Sequence, residues 1–488
     1  MNSESYDVIV IGGGPAGSTV ATLTAKKGHR VLLLEKDKFP RYQIGESLLP
    51  ATVHGIANLL GVADRLGEAG FMRKNGGTFR WGANPEPWTF AFAVSPRLAG
   101  PTSHAYQVER MKFDQILLDN ARKNGVKVQE LCTVTDVVEA GGRVTGVRYA
   151  DADGTAYEAS AAYVVDASGN LSRTYRSVSP QRHYSPYFQN LALFGYFEGG
   201  KRLPAPNQGN ILCAAFDEGW FWYIPLTDQL TSVGAVVRRD SADRVQGDPE
   251  AALRNLIDDC PLIKEYLADA RRVTEGPYGE IRVRKDYSYC NAPFWRSGMA
   301  LIGDAACFVD PVFSSGVHLA TYGALLAARS INSCLDGTVD ETAAFTEFER
   351  RYRREYGVFH EFLASFYSMQ AYEDSYFWQA KKVTGQNASN IEAFVELVAG
   401  TSSGEEALAT AHGTTEAIAA GAGALSAATY ELGTRPSALH SSGVVAAAMS
   451  EGARIQSHAL LGGDAGTESP LFDDGLIATD DSLGWTRP

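Results

Sequence analysis

The sequence predicts an α/β protein built on a parallel, nucleotide-binding sheet, with a second β-rich layer and a helical C-terminal region. Three observations predict it. A strand, glycine turn, helix and strand follow one another within the first 35 residues, two later apolar runs end in Asp-Ala-Ser-Gly and Gly-Asp, and the stretches between are dense in aromatic and β-branched residues.

Residues 6–11 (Tyr-Asp-Val-Ile-Val-Ile) are a β-branched run that closes on Gly12-Gly13-Gly14-Pro15-Ala16-Gly17. Small and aliphatic residues over 18–27 read as the following helix, and 30–34 as a second strand that ends at Glu35, which completes a β-α-β unit. Residues 162–165, before Asp166-Ala167-Ser168-Gly169, and 299–302, before Gly303-Asp304, read as further strands of that sheet. The nucleotide domain is therefore expected to be discontinuous, over 1–70, 105–180 and 285–335. Residues 71–104 and 181–284, with runs such as Gly77-Thr78-Phe79-Arg80-Trp81-Gly82, predict an antiparallel substrate-facing sheet. From 336 to 488 a helical region is expected. Phe345, Phe348, Tyr352, Tyr356, Phe359 and Phe362 recur at steps of three or four up to about Lys382, with Arg350, Arg351, Arg353 and Arg354 between them, so one aromatic face is buried and a basic face solvated. After Gly400 the chain drifts into Ala, Gly, Ser and Thr, and an end carrying Asp464, Glu468, Asp473, Asp474, Asp480 and Asp481 reads as acidic and poorly ordered.

Composition narrows the function. With 44 Lys and Arg against 57 Asp and Glu the formal charge is −13, the wrong sign for a nucleic-acid binder. Six scattered cysteines without a C-x-x-C pair suggest a reducing compartment, the N-terminus lacks the pattern of a signal peptide, and every apolar stretch is interrupted before membrane-spanning length; a cytoplasmic protein is expected. The nine histidines show no H-E-x-x-H or close Cys/His spacing, so no metal is expected, and Gly45-Glu46-Ser47-Leu48-Leu49 lacks the last glycine of a nucleophile elbow.

Gly12-x-Gly14-x-x-Gly17 allows a tight turn, brings the backbone close to a pyrophosphate and aims a helix N-terminus at its charge, while Glu35 falls where a carboxylate accepts adenosine ribose hydroxyls. That pattern serves FAD or NAD. Gly303-Asp304-Ala305-Ala306 favours FAD, because Asp304 can hold a ribityl chain and the next helix can face the flavin ring.

Together with Gly45-Glu46-Ser47 and the hexapeptide Trp220-Phe221-Trp222-Tyr223-Ile224-Pro225, which fits W-x-W-x-I-P, these motifs resemble the flavin-dependent halogenases over at least residues 6–382. The stretches over 42–50 and 310–318 look most like the phenol-chlorinating branch of glycopeptide-antibiotic pathways. The resemblance implies an FAD-binding Rossmann-like domain of the p-hydroxybenzoate-hydroxylase type. It also implies a mechanism in which reduced FAD and O2 give a flavin hydroperoxide, chloride attacks the distal oxygen, and hypochlorous acid travels to a lysine beside the substrate. The matching lysine is Lys74, whose ammonium polarises hypochlorous acid or whose neutral amine forms a chloramine; burial favours the second role. Ser47 and Arg110 match positions near FAD, Ser315 and Gly316 the halide site, and Trp220, Trp222 and Pro225 the wall that keeps an organic substrate off the flavin. Tryptophan halogenases carry a Glu where this chain has Phe313, a candidate substrate-pocket residue. A phenol needs less help, since its own hydroxyl activates the ortho carbon, so the resemblance implies chlorination of a tyrosine-like phenol carried by a peptidyl carrier protein. No second G-x-G-x-x-G follows a strand, and the reduced flavin is expected from a separate flavin reductase. Two other readings stand beside it: an aromatic hydroxylase reduced in place by NAD(P)H, and a flavin-loaded protein that docks a carrier without turnover.

Overall fold

The computed structural model describes residues 4–81, 86–95, 100–368, 395, 398–399, 470–472 and 474–488. The expected helices over 369–382 and after Gly400, and Gly82, lie outside the described residues.

Two large sheets dominate. In the first, β1 (Glu4–Ile11) lies between β2 (Val31–Leu34) and β10 (Ala156–Asp166), with β7 (Lys127–Gln129) beyond β2 and β18 (Met299–Leu301) beyond β10, all parallel. The inner strands are continuous apolar runs because both faces are covered: Val8, Ile9, Leu32, Leu33, Val164 and Val165 are all fully buried. The covering helices α1 (Pro15–Ala25), α4 (Arg110–Lys123) and α7 (Ser315–Leu335) pack on one another, and the short helices α2 (Ala57–Leu60) and α3 (Ala63–Glu68) fill in beside them. At the edges, β17 (Trp295–Arg296) pairs with β18, and the hairpin β8 (Thr133–Ala140) and β9 (Arg143–Ala150) hangs from β10.

The second sheet has the order β19 (Cys307–Phe308), β16 (Arg282–Asn291), β11 (Arg182–Glu198), β14 (Leu230–Arg238), β13 (Gly219–Pro225), β12 (Ile211–Phe216), β4 (Gly76–Arg80) and β5 (Trp88–Ala91), with β15 (Arg271–Arg272) on β11. Every pairing is antiparallel but one: β12 and β4 run parallel, since they come from distant parts of the chain. The alternation along β13 divides the core in two. Trp220, Trp222 and Ile224 join the main core, and Phe221 and Tyr223 join a second one closed by Leu253 and Leu256 of α5 (Pro249–Asp258) and Ile263 of α6 (Pro261–Tyr266).

A third, two-stranded ribbon carries the residue that matters most. β3 (Met72–Lys74) pairs with β6 (Ala105–Gln107), not with the large sheet. On its other side β6 takes the Glu46–Leu48 segment: Ser47 bridges Gln107, and Leu48 N donates to Tyr106 O at 3.0 Å. The ribbon thus brings Lys74 opposite Ser47.

The aromatic stripe of α8 (Glu341–Ser368) is buried as its spacing requires, with Phe345, Phe348, Tyr352 and Phe359 at 1% exposure or less. The opposite face and the chain end differ from the sequence reading. Residues 474–488 are not loose: β20 (Ile477–Ala478) and β21 (Trp485–Thr486) form a hairpin seated on α7 and α8, while Asp464, Glu468 and Asp473 lie outside the described residues. Trp485 is 1% exposed, donates from its indole N–H to Ser330 Oγ at 3.0 Å, and lies under the Arg329 and Arg351 guanidiniums. Arg329 and Asn332 donate to the Ser482 and Leu483 carbonyls, and Arg351 to that of Leu476. Arg350 pairs with Asp474, and Arg353 with Glu349. The basic face expected to be solvated is therefore largely engaged. A charge count does not register one tryptophan and the helix donors that receive it. Replacing Trp485 by Ala should remove about 3–5 kcal/mol of stability, the cost of emptying a buried aromatic site, read as a lowered urea midpoint.

Candidate active site

A cavity of about 840 Å³ opens between the two sheets, lined by Gly12, Gly14, Glu35, Ser47, Arg110, Asp304, Trp220, Trp222, Ser314 and Gly316 among others. The glycines earn their places by geometry. Gly12 holds φ +99°, and a Cβ on Gly17 would sit 1.9 Å from Gly12 O, so only glycine lets α1 start this close to the turn; Gly14 leaves its backbone open to the cavity. Glu35 is 4% exposed and accepts from Gly13 N at 2.6 Å and Asp37 N at 2.8 Å, which fixes its carboxylate at the cavity wall.

Arg110 begins α4 and forks onto Asp114 (2.7 and 2.9 Å), while its Nη1 also donates to the Ile44 and Gly45 carbonyls. It thus ties down the loop that carries Glu46 and Ser47 and also lines the cavity. Asp304, in the 3₁₀ turn after β18, is half-buried at the wall; burial raises its pKa to about 6, against the pull of Arg110, Arg284 and Arg182. These donors and acceptors fit a flavin dinucleotide: an open glycine turn at a helix N-terminus, a fixed carboxylate beyond β2, and an arginine and an aspartate farther along. Held there, FAD would have Gly12 and Gly14 at its pyrophosphate, Glu35 at its adenosine ribose and Asp304 at its ribityl chain; Gly17 does not line the cavity and serves the close packing of α1 on the turn.

Lys74 is 2% exposed and lies just behind this cavity. Its Nζ donates to Ser47 Oγ at 2.9 Å and Leu48 O at 3.0 Å, and stands 3.5 Å from Ser314 Oγ. Ser47 and Ser314 line the cavity, so the amine is one hydroxyl away from it. On its other side Nζ lies 5.6 Å from the Phe92 ring centre. Burial pushes the Lys74 pKa down to about 7, and no carboxylate is hydrogen-bonded to it to hold the proton.

Ser314 adopts the left-handed conformation, φ 60°, as the chain turns from Asp310-Pro311-Val312-Phe313 into α7. Non-glycine residues there are uncommon and collect at functional turns. Ser315 is fully buried and its Oγ has no hydrogen-bond partner, beside the first free N–H groups of α7. Phe313 is 3% exposed and packs with Phe79 (5.8 Å) and Phe366 (4.8 Å) in an aromatic cluster that includes Trp81 and Trp88.

On β13 the wall is made by Trp220, Trp222 and Ile224. Pro225 is not part of it: strand parity turns it away with Phe221 and Tyr223, so the sequence expectation for Pro225 is corrected to Ile224. Trp220 also reaches Trp81, ring centres 6.3 Å apart, and its indole N–H donates to Tyr367 OH, which donates to the buried Asp310 at 2.7 Å. Two features escaped sequence reading. The Trp220–Tyr367–Asp310 chain joins residues 57 or more apart in sequence, and no pattern marks it. Glu46, in contrast, lies within Gly45-Glu46-Ser47, where an acidic residue in an apolar loop is the sequence signal, and its tyrosine partners come from β11 and the preceding loop.

The tryptophan halogenase family profile matches residues 7–100 and 94–435. A tryptophan 2-halogenase from Chondromyces crocatus is 36% identical over 383 residues, 78% of this chain and 71% of its own. The flavin-dependent halogenase gsfI of Penicillium aethiopicum is 34% identical over 382 residues, 73% of this chain and 70% of its own. The myxobacterial chondrochloren halogenase CndH, described as an FAD-dependent halogenase variant, superposes with a TM-score of 0.76 at 52% identity, covering 99% of this chain and 100% of that one. The flavin-dependent halogenase CmlS gives 0.69 at 35% identity over 78% of this chain and 68% of its own. Among the described residues no helix is long and apolar enough to cross a membrane.

The lowered pKa of Lys74 makes stability depend on pH. Unfolded, the amine holds its proton up to about 10.5; folded, it loses it near 7. Between those values the unfolded chain binds more protons, so this term is fully present above about 10.5 and is lost as pH falls to about 7, a change on the order of 5 kcal/mol. In Lys74→Met the term should vanish, and the parent-minus-variant difference in urea midpoints should change across that window and stay flat below it.

Proposed function

The chain belongs to the flavin-dependent halogenases, and from that premise we propose that it chlorinates an electron-rich, tyrosine-like phenol ortho to the hydroxyl, with Lys74 as the residue that delivers the chlorine. Enzymes of this family use FAD, chloride and O2, and generally need a separate reductase to supply reduced flavin. Bound reduced FAD, with O2 and chloride, supplies an oxidised chlorine species; everything else falls to the side chains.

The observation that carries the proposal is the position of the Lys74 amine, buried, hydrogen-bonded to a cavity-lining serine and facing an aromatic ring on its far side. Ser47 and Ser314 line the way from the cavity to Nζ. A neutral amine attacks the electrophilic chlorine of hypochlorous acid and takes it as N–Cl with loss of water; a protonated one only donates a hydrogen bond to it. With a pKa near 7 the neutral form is well populated at neutral pH. Ser315, Gly316 and the α7 N-terminus hold chloride, because unpaired N–H groups and a free hydroxyl suit an anion. Trp220, Trp222 and Ile224 stand between the cavity and the aromatic cluster, which keeps the ring to be chlorinated off the flavin and disfavours the hydroxylase reading.

Phe313 supports a phenol. It lies among Phe79 and Phe366, so no carboxylate from that position assists an indole, whereas a phenol is activated by its own oxygen. Tethering of the phenol to a peptidyl carrier protein, as in glycopeptide-antibiotic assembly, is the further part of the proposal. Arg350, Arg351 and Arg353 are paired with Asp474, Glu347 and Glu349, so these three offer a carrier little unpaired positive charge.

The test is product mass after incubation with a flavin reductase, reduced nicotinamide, O2 and chloride, offering free tyrosine, tyrosine as a carrier thioester, and tryptophan in parallel. A single chlorine-for-hydrogen shift on the tyrosyl substrates is expected; chlorination of tryptophan alone overturns the phenol reading, and oxygen added without chloride makes the protein a hydroxylase. Lys74→Ala should lower chlorination by about a hundredfold or more while holding FAD as the parent does. The fraction of flavin turnovers that end in chlorinated product should rise with pH through about 7 as Lys74 loses its proton.

A further inference from the structure

Glu46 lines the flavin cavity and is 2% exposed. Its Oε1 accepts from Tyr196 OH at 2.7 Å, and Tyr196 OH lies 2.7 Å from Tyr42 OH. Among the described residues its Oε2 is fully buried and has no hydrogen-bond partner of ordinary geometry, although the Ser232 hydroxyl also acts on the carboxyl. Since Tyr196 donates to Glu46, Tyr42 must donate to Tyr196, and the three groups form a directed chain. Its outer end, Tyr42, is only partly buried, at the margin of the cavity and under the Arg282 guanidinium, while its inner end is a carboxyl buried in the cavity wall.

We propose that Glu46 is the proton donor to the flavin cavity, resupplied through Tyr196 and Tyr42. The inference rests on the halogenase activity and not on which aromatic is chlorinated. The overall reaction requires such a donor: reduced FAD, O2, chloride, one proton and an aromatic C–H give oxidised FAD, a C–Cl bond and two waters. O2 takes the four electrons that leave the flavin and the chloride and aromatic carbon together, and the charge balances only if one proton enters. Glu46 gives its Oε2 proton to the cavity. Tyr196 then passes its hydroxyl proton to Oε1, Tyr42 reprotonates Tyr196, and solvent reprotonates Tyr42. Rotation about Cγ–Cδ turns the new O–H toward the cavity for the next cycle.

The surroundings are suited to this. Burial raises the Glu46 pKa to about 7, against the Tyr196 and Ser232 hydroxyls and the Arg110 charge, with Glu109 adding to the rise. Tyr278 completes the group, its ring 4.4 Å from that of Tyr196 and its hydroxyl donating to Glu109. The acid is thus protonated over part of the neutral range, where an exposed glutamate is not.

The experiment uses the full chain and two variants, Glu46→Gln and Tyr196→Phe. Infrared titration of the FAD-free parent should show the C=O band of a buried protonated carboxyl that fades as pH rises through about 7; the band should be missing from Glu46→Gln and moved in Tyr196→Phe. After mixing reduced, FAD-loaded protein with O2 and chloride, the return of oxidised-flavin absorbance should slow about a hundredfold in Glu46→Gln and about tenfold in Tyr196→Phe. FAD affinity should stay within about twofold of the parent in both, a change of less than ~0.5 kcal/mol. In the parent that rate should fall as pH rises through about 7, and Glu46→Gln should lack this limb. Parental rates and pH profiles in both variants overturn the proposal, as does absence of the titrating band from the parent. If Glu46→Gln fails to hold FAD, Tyr196→Phe decides, since it keeps the carboxyl: a parental rate there overturns the relay. A parent that reoxidises without forming any chlorinated product contradicts the halogenase reading, while the carboxyl band is read without turnover and reports on the relay separately.

Discussion

A lysine amine buried in a narrow gap, held by two hydroxyls and one carbonyl and by no carboxylate among the described residues, is the constraint on which the rest of the structure depends. In water that amine is a solvated cation. Behind the Ser47–Leu48 segment it has lost most of its hydration, and the two hydrogen bonds of 2.9 and 3.0 Å do not replace a counter-ion, so its neutral form gains. Keeping it there takes a scaffold that does not yield. The small ribbon of β3 and β6 is that scaffold: β6 is gripped on one edge by the strand bearing Lys74 and on the other by the backbone of Ser47 and Leu48, so amine and hydroxyl are set by main-chain hydrogen bonds and not by side-chain choice alone. Arg110 then anchors the same segment from below through the Ile44 and Gly45 carbonyls.

The other side of the gap is built on α7, whose first turn carries Ser314, Ser315 and Gly316. A helix start placed in a cavity is only as fixed as the helix behind it. Here α1 and α8 pack along its length, His318 meets Glu355 across the α7–α8 contact at 2.7 Å, and the hairpin bearing Trp485 closes over both helices at the far end. The hairpin of residues 474–488 and the start of α7 are thus joined through the packing of one helix.

Much of this was legible in sequence, for reasons that are local. The strand, turn, helix and strand around Gly12 and Glu35 are adjacent in the chain and governed by sterics, and the structure shows why: a side chain on Gly17 would collide with Gly12 O. The alternation of Trp220 and Trp222 against Phe221 and Tyr223 follows from strand parity, and the same parity corrects Pro225 to Ile224. What was not legible is what distant segments do to one another. That Lys74 would be buried could not be read from Arg73 and Asn75 beside it; burial comes from Ser47, Ser314 and Phe92, which approach from three other parts of the chain. The docking of Trp485 needed the Arg329 and Ser330 face of α7, and the isolated β3–β6 ribbon arises from a pairing between strands about thirty residues apart that no periodicity announces. For Glu46 the neighbours Tyr42, Tyr196 and Tyr278 lie in three separate segments, so its unusual acidity is a property of the fold and not of the motif.

The two shifted groups have opposite signs and one cause. Desolvation disfavours charge of either kind, so it raises the carboxyl of Glu46 and lowers the amine of Lys74, and both arrive near 7 from ordinary values six units apart. The consequence is that neither group carries a full charge near neutral pH. That matters for an anionic substrate. An ionised Glu46 in the wall of the cavity that takes up chloride would repel it through a low dielectric, whereas the protonated acid does not, and it can give up its proton once the chloride's charge has been consumed. A neutral Lys74 likewise does not hold chloride as an ion pair and keeps its lone pair for electrophilic chlorine. On the roles proposed for the two groups, the same burial that makes each costly to charge would order the events: anion first, proton next, and chlorine transfer to a free amine last.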